Sequence, residues 1–110
     1  MRSLSTHVLA AVSGEPAAGI RVVLSRRDDG AWTELATATT DADGRVRELA
    51  PDGLAAGDHR LVFDTAAHCA ATGTTGFYPE VSVVFTVAED RHLHVPLLLS
   101  PYAFSTYRGS

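Results

Sequence analysis

The chain alternates between apolar and polar residues over most of its length, with a period of two. The first stretch, residues 4–12, places two sets of side chains on opposite faces: Thr6, Val8, Ala10 and Val12 on one, and Ser5, His7 and Leu9 on the other. Successive side chains of a β-strand point to opposite faces of a sheet, so this period predicts strands.

Turn signals divide the pattern into eight short strands. After residues 4–12, strands are predicted at 20–25, 32–40, from Arg45, and at 59–64, 81–87, 92–100 and 103–108. Asp43-Gly44 is a strong hairpin signal because glycine accepts a positive φ. Only Thr65–Thr72 has a helix-friendly composition. The pattern predicts an all-β fold in one domain, residues 1–110: an eight-stranded antiparallel β-sandwich with one short helix.

Composition and charge exclude several function classes. The net charge of −4 argues against a nucleic-acid partner. All nine basic residues are arginines, so a lysine Schiff base is excluded. The longest apolar run, residues 95–99, is too short to span a membrane. A single cysteine, Cys69, and the lack of a signal-like segment predict a cytoplasmic protein.

Imidazoles and guanidiniums supply the candidate chemistry. His92 and His94 have the same parity and leave one face of their strand, while His7 interrupts the first strand. Histidine is the natural proton donor and acceptor at neutral pH. Arg45 and Arg108 could hold a planar or anionic ligand by paired hydrogen bonds. Each of these residues could instead be a solvated surface residue, an interpretation that suits Arg45 and Arg108 best and His94 least, since His94 stands further inside an apolar strand.

The same histidines raise the question of zinc. His92 and His94, with His7 from a distant strand, could supply three nitrogens to a catalytic metal. Spacing alone leaves this alternative open, although no carboxylate in the sequence stands out to orient the rings, and the preferred prediction is a site without metal or cofactor. His59 and His68 are predicted to lie on the surface.

The C-terminal segment is unusual for a chain end. It runs from the predicted strand directly into Tyr107-Arg108-Gly109-Ser110. Most chain ends fray into small polar residues, whereas charged groups at a strand end hold a fixed position. We expect this tetrapeptide, including the carboxylate of Ser110, to form one wall of a site.

These residues resemble a known family along the whole chain, the transthyretin-like 5-hydroxyisourate hydrolases. The tetrapeptide at 107–110 is a highly specific motif, and with the His-x-His strand it is close to diagnostic. The stretches that carry the resemblance are LSTHVL (4–9), GEPA (14–17), DGR (43–45), FYPEV (77–81), HLHVPLLLSP (92–101) and YRGS (107–110). Ala10 stands where the family often has Asp, and Leu93 where an aromatic residue is common.

The resemblance implies a function and a site. It implies hydrolysis of the ring amide of 5-hydroxyisourate in urate degradation, without a cofactor, by a homotetramer whose sites lie between dimers. It assigns catalytic roles to His7, Arg45, His94 and Ser110. It also implies substrate binding by His7, Arg45 and Ser110 and by Tyr107 and Arg108, and His92 is a further candidate for substrate binding.

Two alternatives come from other classes of protein. A transthyretin-like carrier of a small ligand shares the fold, but such carriers have Lys, Glu and Thr in place of His7, Arg45 and His94 and lack the terminal motif. A purely structural β-sandwich module predicts no clustering of histidine and arginine. The first alternative is the main rival.

Overall fold

The structure is a computed structural model that describes residues 1–109, which form ten β-strands and one α-helix. The bounds are β1 Ser3–Ala10, β2 Glu15–Pro16, β3 Arg21–Asp28, β4 Ala31–Thr39, β5 Arg45–Val46, β6 Gly57–Phe63, α1 Thr65–Thr72, β7 Val81–Val87, β8 His92–His94, β9 Leu97–Ser100 and β10 Ala103–Thr106.

The strands form two sheets that pack as a sandwich. One sheet has the order β4-β3-β6-β7, with every pair antiparallel. The other has the order β10-β9-β1-β2, and β5 and β8 also pair with β1. Strand β1 therefore contacts four neighbours. It lies antiparallel to β2 and β5 and parallel to β8 and β9.

The predicted all-β sandwich with one short helix is confirmed, and the helix and β7 have the predicted bounds. The strand count differs because the predicted strand at 92–100 is interrupted at Val95-Pro96, which leaves β8 and β9. Proline has no N–H to donate to a ladder, so a break at this point follows from its chemistry. The two-residue strand β2 was not predicted, and the parallel pairing of β8 and β9 with β1 departs from an all-antiparallel arrangement.

Alternation along the strands builds the core between the sheets. The side chains of Leu4, Thr6 and Val8 on β1 are fully buried, as are those of Leu61 and Phe63 on β6. Burying an apolar side chain of this size contributes about 1.5–3 kcal/mol. Further members of the core are Ile20, Val22, Leu24, Leu49, Val81, Val87 and Leu97.

The prediction that His59 lies on the surface is wrong, because its side chain is fully buried. Strand β6 begins at Gly57, so position 59 falls inside the strand with the same parity as Leu61 and Phe63. The ring lies 6.1 Å from that of Phe85, and Nδ1 is 3.1 Å from the Gly57 carbonyl oxygen. His68 lies on α1 and is partly exposed.

The helix has a well-defined start and end. The carboxylate of Asp64 accepts a hydrogen bond from the Ala67 amide at 3.3 Å, and Gly73 ends the helix in the left-handed conformation at φ 66°. Across residues 1–109 there is no helix with the length and hydropathy that a membrane crossing needs.

Candidate active site

The alternation of β1 places His7 on the outer face of its sheet. Leu4 and Thr6 point into the core, whereas Ser5 and His7 point outward and are partly exposed. Alternate residues of β1 therefore pack in the core, and the residues between them form a polar row on the outer face. His7 lies in this row, beside the strand β5.

Arg45 is held by the turn at residues 41–44. The carboxylate of Asp41 accepts hydrogen bonds from the amides of Asp43 and Arg45, at 2.9 and 3.0 Å. The Gly44 amide donates to the Asp41 carbonyl oxygen at 2.9 Å. The bond from the Arg45 amide is the main cause that lowers the pKa of Asp41. The carboxylate that fixes this turn is therefore ionised at neutral pH.

Gly44 lets this turn lie directly against β1. It has a φ of 73°, and a Cβ added there would lie 2.5 Å from the Val8 carbonyl oxygen. The Val8 amide donates to the Gly44 carbonyl oxygen at 2.8 Å. In the resulting register, Arg45 is the Cα partner of His7.

His94 reaches the same face through β8. In the parallel register of β1 and β8, its Cα partner is Ser5, and the Ser5 hydroxyl lies 2.8 Å from the His94 Nδ1 atom. On the core side, the buried Thr6 hydroxyl donates to the Val95 carbonyl oxygen at 2.7 Å, and the Val95 amide donates to the Ser5 carbonyl oxygen at 3.0 Å. These bonds fix the backbone on which His94 is carried.

The environment of His94 favours the neutral imidazole. Burial lowers the pKa of His94, and the nearby Arg45, His7 and His92 lower it further. The imidazole is therefore neutral at pH 7, with Nδ1 at the Ser5 hydroxyl and Nε2 as the remaining ring nitrogen. A neutral ring keeps a free nitrogen lone pair, which can accept a proton. We refer to His7, Arg45 and His94 as the outward cluster.

His92 lies next to this cluster with both ring nitrogens already occupied. Its Nδ1 is 2.6 Å from the Ser3 hydroxyl and its Nε2 is 2.8 Å from the Ser5 hydroxyl. The ring itself is exposed. Ser3 and Ser5 were not predicted as site residues, although their parity with His7 is the signal that could have identified them.

The C-terminal segment contacts His94 through Gly109. The Gly109 amide donates to the His94 carbonyl oxygen at 2.8 Å, and the two residues form a β-bridge. Tyr107 and Arg108 are exposed, and the Arg108 guanidinium lies 4.0 Å from the Glu89 carboxylate. Within residues 1–109, neither side chain hydrogen-bonds to the outward cluster. Ser110, predicted to be catalytic and substrate-binding, lies outside the described residues.

Two cavities of the chain lie away from the outward cluster. One, of about 350 Å³, is lined by α1 and the ends of β1 and β9, including Cys69, Val12 and Pro101. The other, of about 340 Å³, is lined by β7 and by Tyr107 and Arg108. The cluster itself lies on an open sheet face. Nowhere in residues 1–109 do three His, Cys, Asp or Glu side chains converge in a way that could hold a metal ion.

Comparisons with known proteins agree on one family. The model of the HIUase/Transthyretin family matches residues 4–109. A 5-hydroxyisourate hydrolase of Caulobacter vibrioides is 48% identical over 115 residues, covering 100% of both chains. The solved structure of the Klebsiella pneumoniae 5-hydroxyisourate hydrolase has a TM-score of 0.88 and 36% identity, covering 98% of this chain and 99% of that one. Sea bream transthyretin, solved with thyroxine, has a TM-score of 0.89 and 35% identity, covering 96% and 93%.

Proposed function

The chain belongs to the HIUase/Transthyretin family, and we propose that its outward cluster is the centre at which it hydrolyses 5-hydroxyisourate. The chain is a hydrolase, as are its curated relatives in bacteria and in the mouse. The reaction opens the ring amide of 5-hydroxyisourate and gives 2-oxo-4-hydroxy-4-carboxy-5-ureidoimidazoline. We place this step within purine and urate degradation, in the cytoplasm.

One observation carries the assignment of the site: two imidazoles and a guanidinium meet on the outer face of a sheet, where the packing of the core does not require them. His7 and Arg45 are partners across β1 and β5, and His94 comes from β8 on the other side of β1. Three separate segments of the chain converge here. If these residues were only solvated surface residues, there would be no reason for them to converge.

The proposed chemistry is direct attack of water on the ring carbonyl carbon. The neutral His94 takes a proton from the attacking water as the new C–O bond forms, which gives a tetrahedral intermediate. The C–N bond of the ring amide then breaks, and the leaving nitrogen receives a proton from a ring nitrogen of one of the two histidines. His7 and His94 both lie within the cluster and share these acid and base roles.

Arg45 stabilises the charge that develops in this reaction. Its guanidinium presents paired donors in a plane, which suits a ring carbonyl oxygen that becomes an oxyanion. The Asp41 turn holds its backbone in place. The chain needs no metal or cofactor in this scheme, since the histidines move the protons and the arginine offsets the charge.

Sea bream transthyretin, solved with thyroxine, and the Klebsiella pneumoniae hydrolase both match this fold, so the fold is compatible with ligand binding and with hydrolysis. The fold alone therefore does not separate the two functions. The outward cluster separates them, because a carrier needs shape and apolar contact rather than proton transfer. His7, Arg45 and His94 supply the means of proton transfer.

We also propose that the active assembly is a homotetramer with its sites at the dimer–dimer interface. Within residues 1–109, the open face that carries the cluster gives a small planar ligand no second wall. A copy related by a two-fold axis would supply that wall. The edge strands β7 and β10 form a second surface, and all four residues of β10 are exposed. Two different two-fold interfaces generate a tetramer.

Within that assembly, Tyr107, Arg108 and Ser110 would close the site and hold the polar edge of the substrate. Gly109 supports this assignment because it fixes the segment to the backbone of His94. Sedimentation velocity tests the assembly, with an expected mass of four 11.6 kDa chains. A monomer with full activity would exclude an interface site.

Ultraviolet absorbance of freshly generated 5-hydroxyisourate tests the function. The protein should accelerate the decay of the substrate well beyond the spontaneous rate. His7→Ala and His94→Ala should each lose about 10²–10⁴-fold in kcat/KM while the fold and assembly remain. An unchanged rate in either variant would remove that histidine from the proposed site.

A further inference from the structure

A continuous chain of hydrogen bonds joins His94 to the solvent. From the outside inward it consists of Ser3, His92, Ser5 and His94, which alternate between β1 and β8. The distances are 2.6 Å from the Ser3 hydroxyl to His92 Nδ1, 2.8 Å from His92 Nε2 to the Ser5 hydroxyl, and 2.8 Å from that hydroxyl to His94 Nδ1. His92 is exposed and His94 is partly buried.

The parallel register of β1 and β8 creates this chain. Ser3 is the Cα partner of His92, and Ser5 is the Cα partner of His94. Residues two apart on a strand share a face, so two serines and two imidazoles come to alternate along the outer surface. The arrangement needs a small hydroxyl residue at both serine positions.

The Ser5 hydroxyl gives the chain a direction. It has a single hydrogen but lies within hydrogen-bond distance of two ring nitrogens, so at least one of those nitrogens must donate to it. If His94 Nδ1–H donates to Ser5, then Ser5 donates to His92 Nε2, and His94 Nε2 is a free base. If His92 Nε2–H donates to Ser5, then Ser5 donates to His94 Nδ1, and His94 Nε2 carries a proton.

The two directions correspond to the two forms of His94 that a hydrolysis needs. The first leaves Nε2 free to accept a proton from water, and the second has a proton at Nε2 to give to a leaving nitrogen. A shift of each proton along its own hydrogen bond converts one form into the other, and the imidazole of His94 stays neutral in both.

We propose that Ser5 and His92 are positioning residues that fix the tautomer of His94 and relay its Nδ1 proton to the solvent. This inference rests on the proposed function of the outward cluster. It gives His92 a different task from substrate binding, because both of its ring nitrogens are held by serines.

The protons balance in each half of the cycle. When His94 Nε2 takes a proton from water, its Nδ1 proton moves to Ser5, the Ser5 proton moves to His92 Nε2, and the His92 Nδ1 proton leaves toward Ser3 and the solvent. When His94 Nε2 protonates the leaving nitrogen, the same bonds shift in reverse and one proton returns from the solvent. No oxidant, reductant or further reactant takes part.

The benefit of the relay lies in where the positive charge is placed. An imidazolium at position 94 is disfavoured by burial and by Arg45 and His7 beside it, and all three lower the pKa of His94. The relay instead passes a proton out to the solvent through the exposed position 92. Passing the proton outward avoids two adjacent cations in a partly buried site.

Steady-state kinetics of four variants tests the relay. His92→Ala should lower kcat roughly tenfold, less than the ~10²-fold or more expected for loss of a whole acid–base group, with little change in KM. Added imidazole buffer should restore most of the lost rate, since a free imidazole can exchange protons with Ser5. Ser5→Ala should lose at least as much as His92→Ala, whereas Ser5→Thr keeps the hydroxyl and should retain near wild-type kcat. His68→Ala, on α1, is the matched control and should match wild type, with and without imidazole.

Each result decides the matter. A wild-type kcat in His92→Ala would overturn the relay, and so would a loss that imidazole does not restore, since this would leave His92 with a purely structural role. If Ser5→Ala fails to fold, His92→Ala with imidazole still gives the answer. His94→Ala, measured in parallel, separates this inference from the proposed function. If His94→Ala is active, the proposed active site is wrong. If His94→Ala is inactive and His92→Ala is fully active, only the proposed relay is wrong.

Discussion

Gly109 and His94 lie so close that no side chain fits between them. The Gly109 amide donates to the His94 carbonyl oxygen at 2.8 Å. A Cβ added to Gly109 would lie 2.7 Å from the His94 Cδ2 atom and 3.1 Å from its Cβ. The backbone of residue 109 therefore forms one side of the space in which the imidazole of His94 sits.

Gly109→Ala should impair catalysis by displacing this imidazole. The added methyl group forces the ring or the C-terminal segment to move, and small misplacements of a reacting group cost up to about 10²-fold in rate. We expect kcat/KM to fall at least tenfold, measured by the decay of substrate absorbance. Gly76→Ala is the matched control, because a Cβ there would meet the Cys69 Sγ atom at 2.5 Å, away from the cluster. Equal activity of the two variants would contradict the role of Gly109.

Arg45→Lys should be almost as inactive as Arg45→Ala. Lysine keeps the charge but loses the planar fork of donors, and removing an oxyanion donor costs about 10²–10³-fold in kcat. Arg47→Lys is the control, since Arg47 lies two residues further on, is exposed, and faces Asp43 at 3.6 Å. Near wild-type kcat/KM in Arg45→Lys would show that only charge matters at this position.

The pH dependence of activity should reflect the lowered pKa of His94. In the proposed mechanism the neutral imidazole is the base, so kcat/KM should fall only as the pH drops below the ordinary histidine value of 6.5. Arg45→Gln removes a cation that disfavours protonation, so the pKa of His94 should rise. NMR titration of the His94 ring measures this without relying on activity, and Arg47→Gln should leave the curve in place. An unchanged His94 titration curve in Arg45→Gln would contradict an electrostatic effect of Arg45 on His94.

His59 should make the fold sensitive to acid. Burial lowers the pKa of His59, so the unfolded chain binds the proton more readily than the folded chain. The contribution of neutral His59 to stability is complete above pH 6.5 and is lost as the pH falls from 6.5 toward its folded pKa. His59→Leu should therefore weaken the fall in Tm between neutral and mildly acidic buffer. His68→Leu should retain the wild-type fall in Tm. If the fall in Tm is weakened equally in both variants, burial of His59 is not its cause.

Chelators should leave the activity intact. The Nδ1 of His94 and both ring nitrogens of His92 lie at serine hydroxyls, so only His94 Nε2 remains on these two rings as a ligand atom. Prolonged dialysis against EDTA, followed by the absorbance assay and metal analysis, tests this. Activity that is lost with EDTA and returns with zinc would favour the metal-dependent alternative.

The period of two was sufficient to predict most of the strands and the face on which His7 lies. The same parity places His59 with Leu61 and Phe63, yet the side chain was expected at the surface because the strand starts two residues earlier than predicted. Strand bounds depend on pairing with β3 and β7, which are distant in sequence. A local pattern carries no information about such partners.

The candidate site likewise has one part that could be predicted from the sequence and one part that could not. Histidine and arginine at turns and strand ends pointed to proton transfer, and the family resemblance selected His7, Arg45 and His94. The hydroxyls of Ser3 and Ser5 became meaningful only with the register that sets β1 beside β8. Two-residue spacing gives the face of a side chain, but only pairing in space gives its neighbour.

The two faces of β1 can change independently of one another. Positions 3, 5 and 7 belong to the proposed site and relay, and positions 4, 6 and 8 are fully buried in the core. Substitutions at odd positions can alter reactivity without altering the interior, so one scaffold can acquire or lose an enzymatic activity through a few exchanges. A library randomised at 3, 5 and 7 should yield many folded proteins with altered chemistry, whereas one at 4, 6 and 8 should yield few that fold. Deletion of a single residue within β1 would exchange the two sets and destroy both properties at once.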